Sequence, residues 1–274
     1  MGDLKNFVLT GCASGIGQHL ADVLIAQGQR VLATDINLAA LEDHERTQGW
    51  PTARARVCKL DVGDAAAWAQ VLQEAASSFG RVDVLMNIAG YIRPGWIHDV
   101  EPEEVHRHFD TNAKGVIFGT QAAARLMVQQ RQGHIINIAS MAALAPVPGI
   151  ALYSASKFAV RAFSLAAAYE LRPYGVYVTV VCPDAVQTPM FDLQKGYDEA
   201  VLTFSAPRLL KVEDVARVIL KRVLPRKPLE VFVPARRGWL ARFVDLFPTT
   251  SFMLVPLFRR RAQARQARLR GEGR

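Results

Sequence analysis

Short apolar runs of strand length recur along the chain, at residues 7–9, 30–33, 53–59, 82–87, 134–139, 177–182 and 231–233. Between them, residues 16–27, 38–48, 65–79, 105–129, 154–172 and 212–223 carry apolar side chains at spacings of three and four, the period of an amphipathic helix. Gly28, Gly49 and Gly80 stand where the first three of these helices would stop. Strand and helix therefore alternate. That order predicts an α/β fold, a doubly wound and mostly parallel sheet of about seven strands with right-handed crossovers, whose ligands sit beyond the carboxyl ends of the strands.

With 274 residues, half of them hydrophobic, the chain suits one sizeable core, and we read a single domain over 1–235 followed by an extension over 236–274. Cys12, Cys58 and Cys182 are widely spaced, odd in number and fit no metal-ligand pattern. Neither a disulfide framework nor a metal site is expected, and a reducing compartment is. The sequence opens Met1-Gly2-Asp3-Leu4-Lys5 and runs straight into a strand-like stretch, without the basic and apolar regions of a signal peptide. A cytoplasmic location is the expectation. The net charge of +8 raises the question of a polyanion partner, yet seven arginines against one acid lie between Arg259 and Arg274. The body is close to balanced, so no nucleic-acid groove is expected in the fold.

The first strand leads directly into Thr10-Gly11-Cys12-Ala13-Ser14-Gly15-Ile16-Gly17, where a helix opens. Glycines at that place let the backbone of Gly11, Ser14, Gly15, Ile16 and Gly17 approach a pyrophosphate, and the free N–H groups of the helix end favour its charge. The second strand ends at Asp35, about twenty residues on, where a carboxylate accepts hydrogen bonds from both hydroxyls of an adenine ribose. A 2′-phosphate would meet like charge there, and Ser14, Ile36 and Asn37 supply no cation, so NAD is the expected cofactor. Asp61 and Val62 are placed to meet the adenine edge. An N-cap for the helix starting near Asp64 explains the acid equally well.

Tyr153-Ser154-Ala155-Ser156-Lys157 opens another predicted helix, and the spacing of four puts tyrosine and lysine on one face. A phenol of pKa about 10 is a poor base near neutrality, and an adjacent ammonium favours the phenolate. Tyr-x-x-x-Lys alone is common on solvated helix faces. Ser140 adds to it, because it ends the fifth strand at the edge where the glycine loop also lies.

Together with Asn87-Ile88-Ala89-Gly90, Asn112, and Pro183 followed by Thr188, these residues resemble the short-chain dehydrogenase/reductase family over about residues 5 to 235. The resemblance implies a Rossmann-type dinucleotide-binding fold and an NAD-dependent oxidoreductase. It implies Tyr153 as proton donor and acceptor, Lys157 on the nicotinamide ribose, Ser140 orienting the substrate oxygen and Asn112 holding a relay water. It also places Asn87, Ala89, Gly90, Pro183, Val186 and Thr188 about the cofactor. Two positions depart from the pattern. Ile88 replaces an asparagine, and Asp184 follows Pro183 where glycine is common, leaving open whether that carboxylate meets a substrate hydroxyl or caps a turn.

The uncharged stretch 141–150 beside Ser140 suggests a hydrophobic substrate, a steroid-, retinoid- or lipid-like secondary alcohol or ketone, and 187–205 suits a lid or ordinary core. Trp239, Phe243, Leu246 and Phe247 share one helical face, followed by the apolar stretch 252–257, but Asp245, Pro248 and Pro256 break the segment too often for a spanning helix. Three readings stay open for it: a peripheral membrane contact, a cover over the substrate pocket, and a subunit contact in a dimer or tetramer. Two functions compete with the leading one, a reductase of an unrelated small carbonyl and a non-catalytic NAD-sensing regulator. The sensor has no chemical need for the Ser140, Tyr153 and Lys157 set.

Overall fold

The computed structural model describes residues 4–206 and 208–270. Met1, Gly2, Asp3, Glu272 and Arg274, considered above, lie outside the described residues, as do the side chains of 252–255 and 257. The first half of the chain forms β1 (Asn6–Thr10), α1 (Gly15–Ala26), β2 (Arg30–Asp35), α2 (Leu38–Gln48), β3 (Ala55–Lys59), α3 (Ala65–Phe79) and β4 (Val84–Asn87). There follow α4 (Pro102–His108), α5 (Gly115–Gln130), β5 (Gly133–Ile138), α6 (Ala151–Leu171) and β6 (Val176–Pro183). The chain continues with α7 (Pro189–Leu193), α8 (Val212–Val218), the one-turn α9 (Leu224–Arg226), β7 (Glu230–Val233), α10 (Ala235–Leu246) and α11 (Pro248–Arg270).

The strands form one sheet in the order β3-β2-β1-β4-β5-β6-β7, every neighbouring pair parallel. Side chains of successive strand residues point to opposite faces, and both faces are covered. Thus Phe7 and Leu9 pack with Leu20 and Leu24 of α1 and Ile219 on one side. Val8, between them, packs on the other side with Trp68 of α3, Met127 of α5 and Ala167 of α6. Burial on this scale contributes about 1.5–3 kcal/mol for each large apolar side chain. The chain winds outward from β1 to β3 and then returns to β4 on the other side of β1. Their carboxyl ends therefore diverge and leave a crevice, the place where open sheets of this kind bind ligands.

The seven expected strands are present, with β3 and β4 each two residues shorter at the start than expected. Gly28, Gly49 and Gly80 follow the ends of α1, α2 and α3. The single helix expected over 105–129 is a longer path with a wider turn in it. It begins at Pro102, whose missing N–H costs nothing in a first helical turn, and passes through a π-helical stretch, Phe109–Lys114, between α4 and α5. At the other end, α10 lies on β7. Gly238 is buried there, and a Cβ on it would stand 2.1 Å from the Cβ of Phe232. Helix α11 packs on residues 198–205, burying Ala262 with Phe191 and Phe204, while Gln266 donates to the carbonyl of Tyr197 at 2.7 Å.

Candidate active site

The loop between β1 and α1 has no room for side chains at two glycines. Gly11 has φ +70°, and a Cβ there would lie 2.9 Å from the Cα of Ala89 after β4. At Gly17 a Cβ would stand 2.1 Å from the carbonyl oxygen of Gly11. The loop is thereby drawn against the end of β4, and Thr10 bolts the two together by accepting from the N–H groups of Ile88 (2.9 Å) and Ala89 (3.0 Å). Ser14 precedes α1 without capping it through its side chain, so the first N–H groups of the helix are left for another acceptor. Thr188 closes the far side, its Cγ2 within 3.2 Å of where a Cβ on Gly15 would be.

Asp35 ends β2 with its carboxylate held at both oxygens, Oδ2 accepting from Ala13 at 2.9 Å and Oδ1 from Asn37 at 2.9 Å. Each oxygen keeps a further lone pair for a ligand hydroxyl. Asp61 lines the same cavity with Val62, and its Oδ1 accepts from the N–H of Gly63 at 2.9 Å. The cap of α3 is Asp64, which accepts from Ala66 and Ala67. The two explanations offered for Asp61 thus separate: the capping belongs to its neighbour three residues on.

Across the sheet from Asp35, three strand spacings or roughly 14 Å away, Ser140 follows β5 and Tyr153 lies in the first turn of α6. Both side chains line the same cavity. Lys157, one turn on, is buried and donates from Nζ to the carbonyl of Ile138 at 3.0 Å; its nitrogen lies 5.7 Å from the centre of the Tyr153 ring. The ammonium was expected to favour the phenolate. Burial decides the direction instead: it pushes the Tyr153 phenol up to about 12, with the Ser140 hydroxyl opposing, and pushes Lys157 down to about 8. Desolvation acts on both groups at once, because each sits against the apolar end of the cavity.

Asn112 falls in the π-helical stretch and is buried. Its amide accepts from Tyr91 N–H and donates to both the Tyr91 carbonyl and Ser156 Oγ (2.9 Å), and Ser156 Oγ donates in turn to the carbonyl of Tyr153 at 2.7 Å. Asn87 is placed differently from the other candidates. Its side chain donates to Asn137 Oδ1 at 2.8 Å inside a buried network with Thr120, whereas Ala89 and Gly90 beyond it line the cavity.

Gly11, Ser14, Gly15, Ile16 and Gly17 thus share one cavity of about 630 Å³ with Asp35, Ser140, Tyr153, Lys157, Pro183, Val186 and Thr188. A dinucleotide fits these residues: a glycine cradle with uncapped helix N–H groups at its centre, a fixed carboxylate toward one end and the tyrosine at the other. Residues 5–196 match the short chain dehydrogenase family. The chain belongs to that family. It is similar to 2,3-dihydro-2,3-dihydroxybenzoate dehydrogenase of Bacillus subtilis, 32% identical over 66% of this chain and 70% of that one. It is likewise similar to 3-alpha-(or 20-beta)-hydroxysteroid dehydrogenase of Mycobacterium bovis, 35% identical over 69% and 71%. Among solved structures it resembles a short-chain dehydrogenase/reductase from Burkholderia phymatum in complex with NAD, at TM-score 0.79 and 24% identity, covering 88% of this chain and 92% of that one. ElxO with NADP bound gives TM-score 0.75 at 23% identity, covering 84% and 96%.

The same cavity is also lined by the apolar residues Met141, Pro146, Val147 and Ile150, by Phe191 and Leu202, and by Leu240, Ala241 and Val244 of α10. The structure thus puts α10 of the C-terminal segment on the wall of the cavity that Ser140 and Tyr153 line. It also ties α10 in place: Arg237 forms an ion pair with Asp184, while Glu230 of β7 receives Arg242 at 2.9 Å and Arg161 at 2.5 Å. Asp184 is therefore not merely a turn former, although its Oδ1 does accept from Ala185 at 2.9 Å. Tyr91 and Arg107, which also line the cavity, carry no pattern in the sequence that would single them out. Arg237 did carry a signal, a cation beginning an otherwise apolar helix face.

Proposed function

We propose that this short-chain dehydrogenase moves a hydride between NAD(H) and a hydrophobic secondary alcohol or ketone, with Tyr153 as acid and base. The observation that carries the reading is that Ser140, Tyr153 and Lys157 line the same cavity as the glycine loop and Asp35. When bound, a nicotinamide dinucleotide supplies or takes up the hydride. The chain's own residues do the rest. Tyr153 gives its proton to the substrate oxygen in reduction and receives it in oxidation, and Ser140 holds that oxygen by a hydrogen bond. Lys157 presents an ammonium to the nicotinamide ribose, and Asn112 steadies, through Ser156, the turn that carries Tyr153. The solved neighbours are divided between NAD and NADP. The choice of NAD rests on Asp35, whose charge opposes a 2′-phosphate, and on Ile36, which lines the cavity in place of a cation.

The hydroxysteroid dehydrogenase among the relatives supports a bulky apolar substrate, as do the walls contributed by α10. The outer face of α10 leaves Trp239 64%, Phe243 55% and Leu246 70% exposed. From Ala235 to the end the sequence has ten arginines and two acids, which equals the whole net charge of +8. Apolar residues flanked by arginines suit a peripheral contact with an anionic lipid surface, and among the described residues no helix is long and apolar enough to cross a membrane. The test of the function is a panel of secondary alcohols of rising size, each offered with NAD and with NADP while absorbance of the reduced cofactor is followed. Turnover with NAD that favours the bulky members is expected. A preference for small polar alcohols would contradict the substrate class.

A further inference from the structure

We propose that Arg237 and Asp184 form a recognition point for a second, uncharged oxygen on the substrate, so that the pocket takes hydrophobic alcohols or ketones carrying another carbonyl, hydroxyl or ether oxygen. This rests on the dehydrogenase reading above and narrows its substrate class.

Asp184 directly follows Pro183 at the end of β6, and its N–H donates to the carbonyl of Val233 at 2.8 Å, so its position is set by the sheet. Arg237, in the first turn of α10, brings Nε to Asp184 Oδ2. Both side chains line the cavity, the carboxylate 11% and the arginine 34% exposed, among Leu240, Val244 and Pro146. A charged pair in such a wall is costly compared with apolar residues of the same volume, and α10 supplies apolar residues at the next cavity positions. A purely apolar ligand would not need it. The guanidinium has five N–H donors, and among the described residues it meets no acceptor of the protein other than Asp184. With a third of the side chain exposed and the residue on the cavity wall, its remaining donors are open to water and to an acceptor on a ligand alike. The pair is neutral overall, so an anion placed there would bring an uncompensated charge into an apolar wall, whereas a neutral oxygen would not.

The test is binding of matched ketones to the full chain, with and without NADH, followed by calorimetry. The pairs are cyclohexanone and cyclohexane-1,4-dione, 2-decalone and decalin-2,6-dione, and 5α-androstan-3-one and 5α-androstane-3,17-dione, in which the second oxygen is carried progressively farther away. For the pair whose span fits, the dione is expected to bind about tenfold more tightly, beyond the roughly twofold that two carbonyls give by statistics. Arg237→Leu should reduce that preference to the statistical value. Asp184→Asn, which leaves the cation uncompensated, should move it toward the keto acid of the same skeleton. No preference in any pair, or an Arg237→Leu protein that loses affinity for both members alike, would overturn the proposal and leave the pair as a fastening of α10. Preferential binding of diones without turnover of any of them would uphold the recognition point while the dehydrogenase reading failed.

Discussion

Asn112 holds Tyr91 by both of its main-chain polar groups, accepting from the N–H at 2.7 Å and donating to the carbonyl at 2.8 Å. Through Ser156 the same amide reaches the turn that carries Tyr153. The loop after β4, the π-helical stretch and the start of α6 are thus joined at one side chain. Replacing it with leucine, of similar size, leaves the Tyr91 groups without their partners. Asn112→Leu is expected to lose about 1–3 kcal/mol of stability in urea unfolding, with the slope unchanged. Unaltered stability would show that the clamp is dispensable.

Lys157 gives a pH dependence whose sign follows from its burial. Desolvation lowers its pKa to about 8, so above that pH the ligand-free site holds a neutral amine. A cofactor that bonds the ammonium raises that pKa again, and binding takes up a proton. NAD affinity should accordingly be level below pH 8 and weaken above it, by up to about tenfold per pH unit. Titrations from roughly pH 6.5 to 9.5 read this directly. In Lys157→Met the affinity should be lower and independent of pH; a pH-independent affinity in the unaltered protein would remove Lys157 from the cofactor site.

Cofactor choice depends on Asp35. At one ionic strength NAD should bind more tightly than NADP, and Asp35→Ser combined with Ile36→Arg should reverse the order, because a repulsion is replaced by a charge-assisted bond. Tighter NADP binding by the unaltered chain would refute the assignment.

Deleting the chain from Arg236 onward should spare NAD binding, since the residues proposed to hold the cofactor lie earlier. It removes Leu240, Ala241 and Val244 from the cavity wall, so KM for bulky substrates should rise more than KM for small ones. Flotation with anionic vesicles separates the cover from the lipid contact. Binding that weakens with added salt and is lost on deletion supports the lipid contact. Absence of flotation leaves the cover alone, and a deletion that splits an oligomer without changing the substrate profile would assign α10 to a subunit contact instead.

Strand and helix positions were legible in the sequence because each central strand is buried on both faces and reads as a continuous apolar run, as at 134–139 and 177–182. The glycine loop, Asp35, Ser140, Tyr153 and Lys157 were legible for a different reason: each sits at the end of a strand or in the first two turns of a helix, so its place along the chain is its place at the carboxyl edge of the sheet. The π-helical turn at Asn112 was not, because its apolar spacing continues that of an ordinary helix and only the pairing with Tyr91, 21 residues earlier, reveals its geometry. Nor was the raised pKa of Tyr153. The spacing to Lys157 shows which charge is near, but the degree of burial, which decides the sign, is set by side chains from several other elements. Asp184 and Arg237 lie 53 residues apart and meet only once α10 has returned over the cavity.

The central claim is that Tyr153 transfers the proton. Its most direct test is the turnover of Tyr153→Phe with a substrate found in the alcohol panel, measured beside its NADH dissociation constant. The substitution deletes one oxygen and should leave cofactor affinity and stability nearly unchanged while kcat falls on the order of 10²–10⁴-fold. A Tyr153→Phe protein that binds NADH normally and retains a substantial part of its turnover would show that another group supplies the proton, and would contradict the account.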